Sequence, residues 1–134
     1  MKKISVMFLL LAFLILGCQN NDTKDENWGS KHLIRSGDII DIIIKNKEEA
    51  NRTLSPTELQ YFMKIIHDGV YETGQLDIGP ADNVVEIAMK NGETKKLSIW
   101  MNESEDLFVD HDDNGHYKLL LDEDERNTLI EILR

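Results

Sequence analysis

Two runs of alternating apolar and polar residues meet at Asn91-Gly92, and they constrain the fold more than any other feature of the chain. In the first, Val85, Ile87 and Met89 fall on one side, with Val84, Glu86, Ala88 and Lys90 on the other. In the second, Thr94 to Met101, the residues Leu97, Ile99 and Met101 share a side and Trp100 lies opposite. A period of two marks a strand with one covered face, because successive side chains point to opposite faces. Asn-Gly is the preferred pair for a two-residue hairpin turn. The stretch therefore predicts an antiparallel hairpin whose register is set by its apolar side.

The rest of the chain supplies partners for that hairpin. Asp38 to Asn46 holds five isoleucines, a composition that favours strand over helix. Strict alternation would put Ile40, Ile42 and Ile44 on one face and Ile39, Asp41, Ile43 and Lys45 on the other. Leu54-Ser55-Pro56-Thr57-Glu58-Leu59 opens a helix. Ser55 is the N-cap, Pro56 the first helical residue, Glu58 closes a capping box, and Leu54 and Leu59 form a hydrophobic staple. Leu59, Phe62, Met63 and Ile66 then recur at helical spacing. Lys64 and His67 suit the C-terminal dipole, and Gly69 suits the position after the cap. Val70 to Ala81 reads as loop, with a short extended piece near Gln75 to Ile78. Leu107 to Asp110 and His116 to Leu120 read as strands joined by a turn at Asp113-Asn114-Gly115, with Tyr117 and Leu119 facing together. Asp122, with Glu125 three residues on, opens a closing helix in which Leu129, Ile130 and Leu133 can pack. The expected class is α+β: an antiparallel sheet of about five strands with two helices on one face.

The N-terminus sets where such a domain would work. Lys2 and Lys3 precede a charge-free apolar run from Ile4 to Leu16. That run is short of the roughly 20 residues a membrane span requires and matches the core of a signal peptide. It ends in Ile15-Leu16-Gly17-Cys18, which resembles the lipobox of bacterial lipoproteins. A small residue before a cysteine lets a peptidase reach the bond, and the thiol can take a diacylglyceryl group as a thioether. The expected division is a lipoprotein signal peptide over 1–17, a lipidated Cys18 with a flexible polar tether over 18–27, and one domain over 28–134. The alternatives are an uncleaved anchor or an ordinary secretory signal, with Cys18 incidental. Two or three acyl chains on one residue make a durable anchor.

Charge and cysteine usage narrow the function classes. The whole chain carries a formal net charge of −10. Loss of Lys2 and Lys3 leaves 13 basic against 25 acidic side chains, about −12. Such a surface repels nucleic acid and anionic headgroups, so it is expected to hold the domain off the membrane. Cys18 is the only cysteine, so lipidation would leave neither a disulfide nor thiol chemistry.

Taken together, these elements resemble the YhfM-like group of small lipoproteins of Gram-positive, Bacillus-type bacteria. The resemblance rests on the lipobox, the Ile-rich strand, the Ser-Pro-x-Glu capped helix, the strand ending at Asn91-Gly92, Ser98-Ile99-Trp100, Tyr117-Lys118-Leu119 and the acidic-capped last helix. It covers most of residues 38–134. It implies a lipid-anchored protein at the extracytoplasmic face of the cell membrane, and it carries over no site residues.

One stretch is rich in ligand atoms: Asp110-His111-Asp112-Asp113-Asn114-Gly115-His116. Asp110, Asp112, Asn114 and Gly115 match the opening of an EF-hand loop, in which alternate oxygens wrap a calcium ion. The match ends at Leu121, where a bidentate Glu is required. A polar hairpin turn, with Asn114-Gly115 at positive φ, is the plainer reading. His111 and His116 would be the ligands of a transition metal. No nucleophile elbow, HExxH motif or Gly-rich phosphate loop occurs, and neither an enzyme nor a cofactor is expected. The expected role is a binding or interaction module of the envelope, its partner a protein unidentified by sequence. The alternative is a small-ligand or weak cation-binding lipoprotein using the Asp110–His116 loop, with Asp110, Asp112 and Asn114 as ligands.

Overall fold

The computed structural model describes residues 26–134. The expected signal peptide, Cys18 and most of the tether lie outside them. Described elements are α1 (Trp28–His32), a 3-10 turn (Ser36–Asp38), β1 (Ile39–Lys45), β2 (Arg52–Thr53), α2 (Pro56–His67), β3 (Val70–Glu72), β4 (Asn83–Met89), β5 (Thr94–Met101), β6 (Asp106–Asp110), β7 (His116–Lys118) and α3 (Glu123–Ile132). All strands join one antiparallel sheet in the order β2-β1-β4-β5-β6-β7-β3. The class is α+β, and β4 to β7 form the expected meander. The sheet has seven strands where about five were expected, and the described residues hold three helices where two were expected.

The additional strands are β2 and β3, two and three residues long, too short to show any period in sequence. β3 lies at Val70–Glu72, and no strand forms at Gln75 to Ile78. It closes the sheet beside β7, with Tyr71 opposite Tyr117. The third helix, α1, is a five-residue segment capped by Asn27, whose Oδ1 accepts the Ser30 N–H at 2.8 Å.

One face of the sheet is covered. Ile42 and Ile44 of β1, Val85 and Ile87 of β4, Leu97 and Ile99 of β5, Phe108 and Tyr117 are fully buried. They share a core with Phe62, Met63, Ile65 and Ile66 of α2 and with Leu129, Ile132 and Leu133. Both longer helices thus lie on one side. In α3 it is Ile132, rather than Ile130, that faces inward with Leu129 and Leu133.

β1 departs from strict alternation. Ile39 pairs with Met89 and Asp41 with Ala88, so Ile40 bulges out of the ladder. The bulge inverts the sidedness of everything before it. Ile39 is buried and Ile40 is exposed, the reverse of the alternating expectation.

The β4–β5 turn also differs. Gly92 N–H bonds the Met89 carbonyl and Met89 N–H bonds the Glu93 carbonyl. The loop is therefore three residues, Lys90 to Gly92, with only Gly92 at positive φ (89°). This is a type I turn closed by a glycine bulge rather than the two-residue turn. Asn91 instead accepts the Glu93 N–H through its side chain. Gly69 and Gly115 are not at positive φ. Gly115 is required for space: a Cβ there would stand 2.5 Å from the Tyr71 ring.

Both helix starts form as expected. Ser55 and Glu58, and likewise Asp122 and Glu125, exchange reciprocal capping bonds. Ser55→Ala is expected to cost about 1 kcal/mol, and Gly92→Val at least as much, since valine resists positive φ. Urea midpoints that match the wild type for both variants would contradict these placements.

Candidate functional site

The ligand-rich stretch folds into the end of β6 and the turn after it, and α1 is brought down onto it. Alternation along β6 puts Phe108 and Asp110 on the covered face. Asp110 is completely buried. A carboxylate there needs partners, since an unpaired buried charge is costly. Trp28 Nε1 donates to Asp110 Oδ2 at 2.8 Å, Lys95 Nζ at 3.3 Å, and the Asp112 N–H donates to Oδ1 at 3.0 Å. Asp113 accepts from Tyr117 Oη at 2.5 Å, from His32 Nε2 at 2.9 Å and from Lys31 Nζ at 3.1 Å. His32 Nε2 stands 3.5 Å from Asp110 Oδ2, linking the two carboxylates.

Aromatic packing completes the junction. Trp28, fully buried, meets Phe108 edge-on at 6.3 Å, and Phe108 stacks on Tyr117 at 5.0 Å. Lys31 Nζ lies 4.3 Å from the centre of the Tyr71 ring. The backbone of residues 26–28 is fastened too. Trp28 N–H bonds the Gly69 carbonyl, and Tyr71 N–H bonds the Glu26 carbonyl, both at 2.9 Å. The fold thereby takes up the last two residues of the expected tether, and they cover the β3 edge.

The titration behaviour follows from these contacts. Burial alone would raise the Asp113 pKa. Hydrogen bonds from Tyr117, His32 and Lys31 outweigh it and hold the carboxyl below its usual range. Burial and the Asp113 carboxylate push the Tyr117 phenol well above its usual range. Burial would lower Lys95, but Asp112 and Asp110 reverse this and raise it. A depressed acid stabilises the fold above its unfolded pKa, and that stability is lost as pH falls through the folded value. Raised Tyr and Lys groups stabilise below their unfolded values, near 10, and lose this as pH climbs past them. Melting temperatures are therefore expected to fall below about pH 4 and above about pH 10. Asp113→Asn should shallow the acid limb and Tyr117→Phe the alkaline limb. Unchanged limbs in both variants would contradict the assignment.

Two of the three expected calcium ligands, Asp110 and Asp112, converge on the Lys95 ammonium, at 3.3 and 3.1 Å, and Asn114 does not join them. Asp110 faces inward, Asp112 is exposed and pairs with Lys95 at 3.1 Å, and no hydrogen bond involves the Asn114 side chain among the described residues. His111 and His116, the pair a transition metal would have used, diverge. His111 Nε2 lies 2.8 Å from Ser98 Oγ, and His116 Nε2 lies 3.0 Å from Glu72. A different trio converges: His32, Asp110 and Asp113 bring one ligand atom each within 4.8 Å of one another. Every oxygen of those two carboxylates already carries a donor, and Lys31 and Lys95 balance their charge. A cation entering here would have to displace those donors.

His32, Lys31 and Lys95 were not singled out by sequence, because 81 residues separate His32 from Asp113. Trp28 was the one available signal, a large aromatic just after a polar stretch. Ser98 and His111 stand at nucleophile–base distance. Among the described residues, no carboxylate is hydrogen-bonded to the other nitrogen of His111, the orienting group such a pair requires. No described helix is long and apolar enough to cross a membrane.

A family model described as YhfM protein matches residues 35–134, from the 3-10 turn's cap to the C-terminus. No curated protein and no solved structure matches the chain.

Proposed function

The chain belongs to the YhfM protein family, and from that premise we propose that it is a lipid-anchored, non-catalytic binding module of the cell envelope. The carrying observation is Gly17-Cys18 at the end of a charge-free apolar run, with the sole cysteine at the boundary where lipidation requires it. The fastened residues 26–28 support the reading. A pull on the chain before Glu26 meets a buried tryptophan, two backbone hydrogen bonds and a charge network, a firm attachment for an anchored domain. Fractionation of intact cells tests the proposal. The expected result is protein in the membrane fraction that is digested by protease added outside. Protein recovered in the soluble fraction, or protected until lysis, would contradict it.

A further inference from the structure

We propose that the cavity between the β1–β2 loop and the C-terminal end of α3 binds a short peptide with both ends free and an apolar side chain. The inference rests on the binding role proposed above and goes beyond it by naming a site and a ligand class.

The cavity holds about 580 Å³, within the roughly 300–1,000 Å³ of small-ligand sites. Its walls are held in place. The last carbonyls of a helix have no partner inside it, and here side chains from β2, β4 and the β1–β2 loop supply one. Arg52 Nη1 donates to the Ile132 carbonyl at 3.1 Å, Asn83 Nδ2 to Leu133 at 2.8 Å and Asn46 Nδ2 to Arg134 at 3.5 Å. Across the cavity, Asp82 Oδ2 takes the Met101 N–H at 2.8 Å. A ligand therefore meets walls already fastened to one another, which lowers the ordering cost of binding.

The lining combines three chemistries. Met101, Ile130 and Leu133 supply an apolar side. Met101 and Ile130 are only half-buried, and Ile130 is the α3 residue that was expected in the core. Lys47 and Arg134 bring positive charge, and Glu48, Glu49 and Asp82 bring negative charge. Unpaired charges occur elsewhere on the surface, but here both signs border one apolar side. The third component is a set of free acceptors. The amide nitrogens of Asn46 and Asn83 are engaged on α3, while Oδ1 of each, and Oδ1 of Asp82, accept no hydrogen bond among the described residues.

These groups select among ligand classes. A phosphate-bearing ligand would meet three carboxylates. No aromatic side chain lines the cavity, so a nucleobase has no surface to stack on. The ligand-atom trio that converges among the described residues is at His32, not here. A zwitterion has no net charge for the three-to-two balance of carboxylates and cations to repel. Its ammonium finds carboxylates and amide oxygens, its carboxylate finds Lys47 and Arg134, and an aliphatic side chain covers Met101 and Ile130. One amino acid would leave most of the volume empty, so the ligand is a peptide.

The test records amide NMR spectra of the full chain in detergent as trileucine is added. The expected result is saturable shifts at Asn83, Met101, Leu133 and Arg134, with none for triglycine. N-acetylated trileucine and trileucine amide should each bind about fivefold more weakly, the order for one exposed ion pair. Lys47→Ala/Arg134→Ala changes two exposed side chains, so the fold should be kept. It should weaken trileucine to the level of the amide and leave binding of the amide unchanged. No saturable shift at millimolar trileucine would overturn the proposal. So would equal binding of triglycine or free leucine, capped peptides that bind as tightly as the free one, or a double variant that weakens acid and amide alike. Shifts confined to another surface would overturn this site and leave the binding role standing. The anchor is read by cell fractionation alone, which none of these results touches.

Discussion

Trp28→Ala is expected to lower the unfolding free energy by about 3–5 kcal/mol, the range for removing a large aromatic from a packed core. Trp28 heads the fully buried side chains by volume, and it comes from a helix of only five residues. A helix that short has no stability of its own in water. Its place depends on the tryptophan, which fills the space beside Phe108 and donates to Asp110. Truncation opens a cavity and takes a donor from a buried carboxylate, two costs that fall on the same residue. Typical domains have about 5–15 kcal/mol in total, so the variant should melt far below the wild type. Trp28→Phe keeps most of the packing and loses the donor, and should fall between the two. Urea midpoints within experimental error of wild type for Trp28→Ala would show that α1 is not part of the cooperative fold.

Asp110→Ala is expected to cost a similar amount, about 3–5 kcal/mol, by a different route. The Asp110 side chain is completely excluded from water, and that of Lys95 is only 13% exposed. Removing the carboxylate leaves the Lys95 ammonium with Asp112 alone and orphans the Trp28 N–H. The loss comes from groups left behind rather than from the ion pair's own worth, because a buried pair often gains little over an apolar replacement. Two companions separate these terms. Asp110→Asn keeps an acceptor for Trp28 and should be milder than alanine. Asp110→Leu combined with Lys95→Met removes both charges and should recover part of the loss. If that double variant were as unstable as the sum of its singles, the network would not be coupled as described.

These two residues show where sequence reading stopped. The capped starts of α2 and α3 were legible because all their chemistry lies within four residues: Ser55 with Glu58, Asp122 with Glu125. The β4–β5 hairpin was legible because apolar residues fall at every second position on both sides of the turn: Val85, Ile87 and Met89 in β4, Leu97, Ile99 and Met101 in β5. β1 was legible as a strand but not in sidedness, since a bulge at Ile40 is invisible in a row of isoleucines. β3 escaped because three residues between two glycines carry no period. The candidate site was legible as a ligand-rich turn, and its partners were not. Asp110 faces the core where alternation would place an apolar residue, and what makes that tolerable is Trp28, 82 positions earlier. Contacts at such separations are chosen by topology, and neither motif nor period records them.

The central claim is that Cys18 is the lipid-bearing first residue of the mature protein. Metabolic labelling with a clickable fatty acid tests it most directly, comparing wild type with Cys18→Ala. The account predicts label on the wild-type band alone, with Cys18→Ala unlabelled and either shed from the membrane fraction or retained as an unprocessed precursor. Equal labelling of the two proteins would contradict it.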